Sequence, residues 1–188
     1  MTLALDEATD GDLATLARGG SQRAYKTLAD RHRASVYRIA RGATGDAEEA
    51  FDLTQETFVA AFGALDRYDS TRPFASWIAR IALNKCRDWS RKRFVRRAFS
   101  LPFSAKTVGV PTLDPAIDEG VHQRAQLRRV QAAIADLPLR QREVLVLRLI
   151  EGLSQAETAE ALGISGKAVE TRLARARRSL AVAMRAFD

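Results

Sequence analysis

Apolar residues recur at every third or fourth position along most of this chain, and that spacing limits the possible folds more than any other feature of the sequence. Side chains at this spacing lie on one face of an α-helix and can pack against other helices. We find no sustained alternation of apolar and polar residues, and no Asn-Gly or Asp-Gly turn between β-branched runs, as strands would require. The sequence therefore predicts an all-α fold.

Three helices are predicted in the first half. The first covers residues 21–41, ends near Gly42 and Gly45, and buries Ala24, Tyr25, Leu28, Ala29, His32, Val36, Ile39 and Ala40. The second contains DLTQETFVAAFGAL, residues 52–65, and its predicted apolar stripe consists of Phe51, Thr54, Phe58, Ala61, Phe62 and Leu65. The third, FASWIARIALNKCRDWSRKRFVRR, follows Pro73 and buries Phe74, Trp77, Ile78, Ile81, Ala82 and Trp89.

The second of these helices has another face at helical spacing. It carries Asp52, Gln55, Glu56 and Val59. The residues alone leave its role open, because an ordinary solvated face would look the same. Glu48 and Glu49, near the start of this helix, are explained by the favourable interaction of negative charge with the helix dipole rather than by a catalytic carboxylate pair.

Residues 100–122 differ in composition from the segments on either side. Three prolines, with several Ser, Thr and Gly residues, disfavour a long helix there. We therefore predict a flexible linker between an amino-terminal domain, residues 1–99, and a carboxy-terminal domain, residues 123–188. Both would be small helical domains.

The second domain is predicted to contain four helices. A helix near residues 123–135 is broken at Pro138, and the next one ends at Gly152 and buries Leu139, Val144, Leu145, Leu147, Leu149 and Ile150. SQAE, residues 154–157, has the spacing of a capping box, in which Ser154 and Glu157 satisfy each other's backbone N–H groups. The short helix it opens places Ala156, Ala159 and Leu162 inward, and the last helix buries Val169, Leu173, Ala176 and Leu180.

Composition narrows the class of function. The net charge of +7 favours a polyanionic partner such as nucleic acid or an acidic membrane surface. One cysteine, Cys86, and two histidines exclude an internal disulfide and a closed Cys/His zinc site, so we expect no metal and no cofactor. The acidic amino terminus has no signal-peptide pattern, and no apolar run has the length of a bilayer span. We expect a soluble, cytoplasmic protein in which Cys86 has a packing role.

The segment LSQAETAEALGISGKAVETRLARARRSL has the plan of a helix-turn-helix, in which the second helix enters the DNA major groove. Side chains that can read base edges or bind phosphates are predicted to project outward from that second helix. They are Lys167, Glu170, Thr171, Arg172 and Arg175. The competing interpretation is a solvated helix of a bundle.

A second basic run lies on the helix that follows Pro73. Arg80, Lys85, Arg87, Arg91, Lys92, Arg93, Arg96 and Arg97 are opposed there only by Asp88. Cations interleaved with Trp77 and Trp89 suit a single strand, because bases stack on aromatic rings and phosphates pair with cations. Composition alone favours a plain core position for Trp77.

The segments DLTQETFVAAF, FASWIARIALNKCRD, LPLRQREVLVLRLIEGLSQAETAEALGIS and KAVETRLARARRSL together resemble the extracytoplasmic-function sigma factors, the short two-domain class of the bacterial sigma-70 family. The resemblance covers most of residues 20–183. It implies that the chain binds core RNA polymerase and directs promoter-specific transcription initiation, without being an enzyme. It also implies that Asp52, Gln55, Glu56 and Val59 contact the clamp coiled coil of the largest polymerase subunit.

The resemblance further implies two contacts with promoter DNA. At the minus 10 element, a loop from Asp66 to Arg72 would capture an unstacked base, and the expected contacts are Asp66, Arg67, Tyr68, Arg72, Trp77, Asn84, Lys85, Arg87 and Arg91. At the duplex minus 35 element they are Lys167, Glu170, Thr171, Arg172 and Arg175. The second domain would also contact the flap of the second-largest subunit, and an anti-sigma factor would cover polymerase-binding surfaces.

Two departures from the family pattern leave the promoter preference open. Phe62 stands where many members carry Trp, and Gly166 introduces flexibility into the first turn of the recognition helix.

Two other classes of protein share part of these features. The carboxy-terminal half alone resembles the DNA-binding domain of LuxR-type regulators, but such proteins usually carry a sensing domain with strands. A site-specific recombinase would need a nucleophile with a positioned base or metal-binding carboxylates. Ser21, Ser35 and Ser76 form no such constellation with His32 or His122.

Overall fold

The computed structural model describes residues 5–99 and 129–185, and the regular structure in these ranges is entirely helical, as predicted. The amino-terminal helices are α1 (Asp10–Arg18), α2 (Gln22–Thr44), α3 (Ala47–Gly63) and α4 (Phe74–Phe99), with a 3-10 turn, Leu65–Arg67, between α3 and α4. The carboxy-terminal helices are α5 (129–136), α6 (Leu139–Leu145), α7 (Gln155–Leu162) and α8 (Gly166–Arg185). A π-helical segment, Val146–Ile150, continues α6. The linker predicted at 100–122 lies outside the described residues.

Local signals in the sequence account for most helix ends. Asp46 begins α3 by accepting hydrogen bonds from the backbone N–H groups of Glu48 and Glu49. Gly45 ends α2 in the left-handed conformation, with φ of 73°, whereas Gly42 lies inside the helix. The predicted capping box of Ser154 and Glu157 is confirmed at the start of α7.

The amino-terminal helices pack around α2. It contacts α1, α3 and α4 along its length, and the side chains with almost no exposed surface include Leu13, Leu28, Val36, Ile39, Ile78 and Leu83. Leu28, Val36, Ile39 and Ile78 lie on the apolar faces predicted for α2 and α4, whereas Leu83 and the whole of α1, which carries Leu13, were not predicted. Burial of each large aliphatic side chain contributes roughly 1.5–3 kcal/mol, so this interior supplies most of the stability of the bundle.

The predicted apolar stripe of α3 is wrong at two positions. Phe51 and Phe62 are more than half exposed, while Thr54, Ala61 and Leu65 are buried as expected. The buried face is rotated toward Ala50, Leu53 and Thr57. Small residues face α2 because the two helices approach closely, and Thr57 satisfies its hydroxyl by donating to the Leu53 carbonyl oxygen at 2.6 Å. Two phenylalanines therefore remain on the surface.

In the carboxy-terminal half, α6 and α8 pack together over Val144, Leu145, Leu147, Val169 and Ala176. Three predicted core positions are wrong: Leu149, Ile150 and Ala156 are exposed. The first two lie in the π-helical segment, whose wider turn rotates its last residues away from the core. In α7, Thr158, Ala161 and Leu162 form the buried face instead.

The two halves pack against each other, through α2 with α6 and α4 with α7, and one core cluster continues across the boundary. Gly42 makes this approach possible, because a Cβ atom there would lie 2.6 Å from the Val146 Cγ2 atom. Arg142 of α6 donates hydrogen bonds to the carbonyl oxygens of Ala43 in α2 and of Ala135 and Leu137 near its own helix. The helices that the structure describes include none that is long and apolar enough to span a bilayer.

Candidate nucleic-acid and polymerase interfaces

The second face of α3 forms a continuous exposed stripe. Asp52, Gln55, Glu56 and Val59 are all exposed, and they line one shallow groove of about 500 Å³. Val59 is the most prominent apolar member, with 74% of its surface exposed. Lys85 of α4 borders the groove and lies 3.4 Å from the Glu56 carboxylate. An apolar centre with an acidic border suits a basic protein surface better than DNA.

A second groove extends this surface toward α2. It has a volume of about 720 Å³, and its apolar lining comes mainly from Tyr37, Phe51 and Phe58. The sequence prediction assigned Phe51 and Phe58 to the core, so this extension was missed. The signal was present in the sequence, because Phe51 precedes Gln55 of the exposed stripe by four residues and therefore lies on the same side of the helix.

The predicted capture loop, Asp66 to Arg72, is held in place by the contacts of a buried tyrosine. Tyr68 is buried, and its hydroxyl donates to the Arg72 carbonyl oxygen at 2.6 Å, which closes the loop. The Tyr68 ring packs against Phe74 and Trp77, with centroid distances of 5.2 Å to each. Burial, with the nearby negative charges of Asp10 and Asp69, raises the pKa of Tyr68. The phenol therefore remains protonated at neutral pH and keeps its donor role.

A cavity of about 350 Å³ lies beside this loop. Five of the predicted minus 10 residues line it, namely Arg67, Tyr68, Arg72, Trp77 and Asn84. The remaining four lie elsewhere. Asp66 is on the exposed side of the 3-10 turn, Lys85 borders the α3 stripe, and Arg87 and Arg91 line a neighbouring cleft.

Helix α7 covers the rim of this cavity. The Glu160 carboxylate accepts a hydrogen bond from Arg72 at 2.9 Å, and its backbone carbonyl accepts one from Arg80. Next to it, the Glu143 carboxylate of α6 accepts two hydrogen bonds from Arg87, at 2.6 and 3.0 Å. Hydrogen bonding to Glu143 raises the pKa of Arg87. Arginines suited to DNA phosphates are thus paired with carboxylates of the same chain.

No pattern in the sequence indicates that Glu143 and Glu160 pair with arginines of the first half. Arg87 and Glu143 are separated by 56 residues, and Arg72 and Glu160 by 88. Both acidic residues read as ordinary helical surface positions. Only the packing of the two halves brings them to the basic face of α4.

Most side chains of the helix-turn-helix that were predicted to contact the minus 35 element are exposed to solvent. Lys167, Glu170, Thr171 and Arg175 are exposed on α8, while Arg172 is half-buried and faces a cleft shared with α4 and α6. Lys167 lies 3.1 Å from the Glu170 carboxylate, and the Thr171 hydroxyl donates to the Lys167 carbonyl oxygen. Across the turn, the Gln155 side-chain amide donates to the Gly166 carbonyl oxygen at 2.9 Å and fixes the start of α8.

The segment before α2 contributes to the capture-loop region, and this contribution was not predicted from the sequence. Asp10 lies 2.7 Å from the His32 ring and 3.1 Å from Arg31, and Arg31 also donates to the carbonyl oxygens of Leu5, Asp6 and Ala8. The hydrogen bond with His32 is the main reason that the pKa of Asp10 is lowered. The His32 ring in turn packs on Phe74, 5.0 Å away. The aromatic floor of the capture loop is therefore attached to the amino-terminal segment.

Comparison with known proteins gives consistent matches to both halves. Residues 28–94 match the family described as Sigma-70 region 2, and residues 127–180 match Sigma-70, region 4. RNA polymerase sigma factor CnrH of Cupriavidus metallidurans is 41% identical over 181 residues, which cover 93% of this chain and 93% of that protein. The ECF RNA polymerase sigma factor SigW of Bacillus subtilis is 31% identical, with coverage of 86% and 89%.

A solved structure of CnrH in complex with the cytosolic domain of CnrY matches with a TM-score of 0.73 and 37% identity. The match covers 95% of this chain and 99% of that chain. The first half of this chain matches Sigma-70 region 2 and not the sensing domain that a LuxR-type regulator usually carries. Identity at this level over nearly the whole length shows that the chain belongs to the sigma-70 family of RNA polymerase sigma factors, in the extracytoplasmic-function class.

Proposed function

We propose that this protein binds core RNA polymerase and directs promoter-specific transcription initiation, with residues 1–99 and 123–188 acting as separate functional domains. The observation that carries this proposal is the presence of three different surfaces on one chain that matches sigma factors over nearly its full length. They are the exposed stripe of α3, the cavity beside the loop from Asp66 to Arg72, and the basic helix α8.

The α3 stripe is the proposed contact with the clamp coiled coil of the largest polymerase subunit. The exposure of Val59 and Gln55 supports this role, because a partner can reach both side chains without rearrangement of the described helices. Phe51 and the apolar groove beside it would enlarge the contact. The second domain would contact the flap of the second-largest subunit.

The cavity beside the capture loop is the proposed site for an unstacked base of the minus 10 element. Asn84 can donate to and accept from a base edge, and Trp77 offers a half-buried ring for stacking. Unstacking a base costs a few kcal/mol, and stacking on an aromatic side chain returns roughly 1–3 kcal/mol. Binding energy alone can therefore drive the capture of the base.

Helix α8 is the proposed reader of the minus 35 duplex. The first turns carry Lys167, Glu170 and Thr171, which have groups for base edges, and Arg175 follows one turn later. Arg172 faces α4 in this arrangement of the domains, so its contact with DNA requires the domains to separate. A cytoplasmic location follows from the same proposed role in transcription.

An anti-sigma factor is the proposed regulator. The related protein CnrH has been solved in complex with the cytosolic domain of CnrY, and a sigma factor from Bartonella quintana has been solved with the anti-sigma factor NepR. The apolar groove between α2 and α3 is accessible in the closed arrangement of this chain. A partner helix seated there would compete with polymerase.

The direct test is transcription by purified core polymerase on a fragmented bacterial genome, with and without this protein, followed by sequencing of RNA starts. We expect new starts that share two upstream motifs. Val59→Asp should abolish both polymerase binding and the new starts, because it places a charge in the apolar centre of the stripe. Leu16→Asp, at an exposed apolar position of α1, is the matched control and should retain both. A wild-type protein that neither binds polymerase nor adds starts would refute the proposal.

A further inference from the structure

Ser76 in the first turns of α4 has a buried hydroxyl group with unused hydrogen-bonding capacity. Only 2% of the residue is exposed, and its Oγ atom has no hydrogen-bond partner among residues 5–99 and 129–185. An unpaired buried hydroxyl destabilises a fold, because it has lost its hydrogen bonds to water without replacement. Each such group needs an explanation, and the described residues contain three others, at Arg41, Arg142 and Thr158.

The usual internal partner of this hydroxyl is already engaged. A serine inside a helix commonly donates to the carbonyl oxygen four residues earlier, as Thr54 and Thr57 do in α3. For Ser76 that oxygen belongs to Arg72, and it accepts the hydrogen bond from the Tyr68 hydroxyl. That oxygen serves the closure of the capture loop, and Ser76 makes no hydrogen bond to it.

The surroundings of Ser76 show what kind of group could pair with it. Ser76 lines the same 350 Å³ cavity as Trp77 and Asn84, with Arg67 and Arg80 at its border. The cavity thus combines aromatic surface, an amide, a hydroxyl and three arginines with the carboxylates of Asp69 and Glu160. A flat nitrogen heterocycle attached to a phosphate can pair with the ring, the amide, the hydroxyl and the arginines, and the volume lies at the lower end of the range of about 300–1,000 Å³ for small-ligand sites.

We propose that Ser76 is a specificity-determining residue for promoter opening, whose hydroxyl forms a hydrogen bond with the edge of the unstacked minus 10 base. This inference rests on the proposed function, since it assigns a residue within the minus 10 site. A hydroxyl can donate or accept, so it supports the base whose edge complements it and leaves the wrong base with an unpaired group. Asn84 and Ser76 then read the base from the same cavity.

The Ser76→Ala substitution should affect stability and promoter opening in opposite directions. Removing an unpaired buried hydroxyl should leave the thermal stability of the free protein unchanged or raise it. In contrast, the rate of opening at the preferred promoter should fall roughly three- to tenfold, because a base-edge hydrogen bond is lost. A residue with a merely structural role would lose stability and activity together.

The decisive measurement is the ratio of opening rates on the preferred promoter and on promoters with a single substitution at each minus 10 position, followed with permanganate. Ser76→Ala should reduce this ratio at one position only. Loss of folded protein would lower all rates equally and leave the ratio unchanged. Ser76→Cys, which keeps a group of similar size but a weaker donor, should give the same loss of discrimination.

Thr158→Val provides a matched control. Thr158 also has a buried hydroxyl with no partner in the described part of the chain, but it does not line the capture cavity. Its removal should leave every ratio unchanged. If Ser76→Ala and Ser76→Cys both keep the wild-type ratio at all positions, the inference is wrong even though the wild-type protein initiates transcription. If the wild-type protein adds no starts at all, the proposed function itself fails.

Discussion

The Arg87–Glu143 ion pair should control how often the two halves of the protein separate. Arg87 belongs to α4 and Glu143 to α6, and two hydrogen bonds of 2.6 and 3.0 Å join them. The Glu143 side chain is 4% exposed, whereas Arg87 is 32% exposed. The substitution Glu143→Gln preserves the shape of the side chain, removes its charge and leaves one amide oxygen as an acceptor.

The size of the effect follows from this difference in burial. Breaking a fully buried pair costs about 3–5 kcal/mol, because one charge remains unpaired in a region of low dielectric constant. Arg87 can recover part of its hydration, and the glutamine keeps one hydrogen bond. We therefore expect a loss of about 1–2 kcal/mol in the contact between the halves, which raises the ratio of open to closed protein about 5- to 30-fold.

Fluorescence energy transfer can measure this shift. Dyes attached through Leu16→Cys and Val182→Cys would report the separation, because both positions are exposed and lie in different halves. The native Cys86 should not react, since it is buried and burial raises the pKa of its thiol to about 12. In parallel, the isolated protein should bind a single-stranded minus 10 oligonucleotide more tightly in the Glu143→Gln variant, because the arginine partners of α4 are released.

Asp30→Asn is the matched control for charge removal. Asp30 pairs with Lys26 and Arg33 on the exposed surface of α2, away from the contact between the halves. Exposed pairs of this kind contribute about 0–1 kcal/mol, so energy transfer and oligonucleotide binding should stay at wild-type values. Unchanged energy transfer and unchanged affinity in Glu143→Gln would show that this ion pair does not hold the halves together.

Two further predictions concern other parts of the protein. Arg175→Ala should weaken binding to a cognate minus 35 duplex. If Arg175 contacts a phosphate, titrations should show that the slope of log affinity against log salt concentration is reduced by about one, and if it contacts a base edge, the base preference should relax. Unchanged affinity, slope and preference would remove Arg175 from the interface. The amino-terminal segment should detach in acid. Because the pKa of Asp10 is lowered in the folded protein, its contribution to stability is present above its unfolded value near 4 and is lost as the pH falls through the folded value. The protection of the amides of residues 5–18 against hydrogen exchange, measured relative to the intrinsic exchange rate at each pH, should therefore fall below pH 4 in the wild type. Asp10→Asn should remove this pH dependence, and a wild-type profile in the variant would contradict the assignment.

The positions of helix ends were predictable, because they depend on neighbours in the sequence. The capping box of Ser154 and Glu157 needs only a separation of three residues, and the glycine at position 45 needs only a backbone conformation that other residues avoid. The same holds for the exposed stripe of α3, whose four members follow the helical period. Periodicity carries this information without any knowledge of the tertiary structure.

Contacts between distant segments were not predictable from the same patterns. Phe51 and Phe62 were assigned to the core on hydrophobicity, but close packing of α2 on α3 favours small residues there and leaves both rings outside. The sequence analysis assigned no role to Glu143, although its side chain is buried against Arg87. The unpaired hydroxyl of Ser76 was not predictable, because burial and hydrogen-bond partners depend on the packing of segments that are distant in the sequence.

In the closed arrangement one proposed binding surface is exposed and the other is covered, and this difference implies an order of binding events. The α3 stripe is exposed while α7 lies against the capture cavity, so polymerase can bind without any rearrangement of the halves. Arg72 and Arg87 are paired with Glu160 and Glu143 in this arrangement, so DNA phosphates have to displace both carboxylates before they can bind these arginines. A partner that contacts both halves and holds them apart would remove both carboxylates at once. Polymerase, with its proposed clamp and flap contacts on opposite halves, has the geometry to do this, so binding to polymerase should precede capture of the minus 10 base.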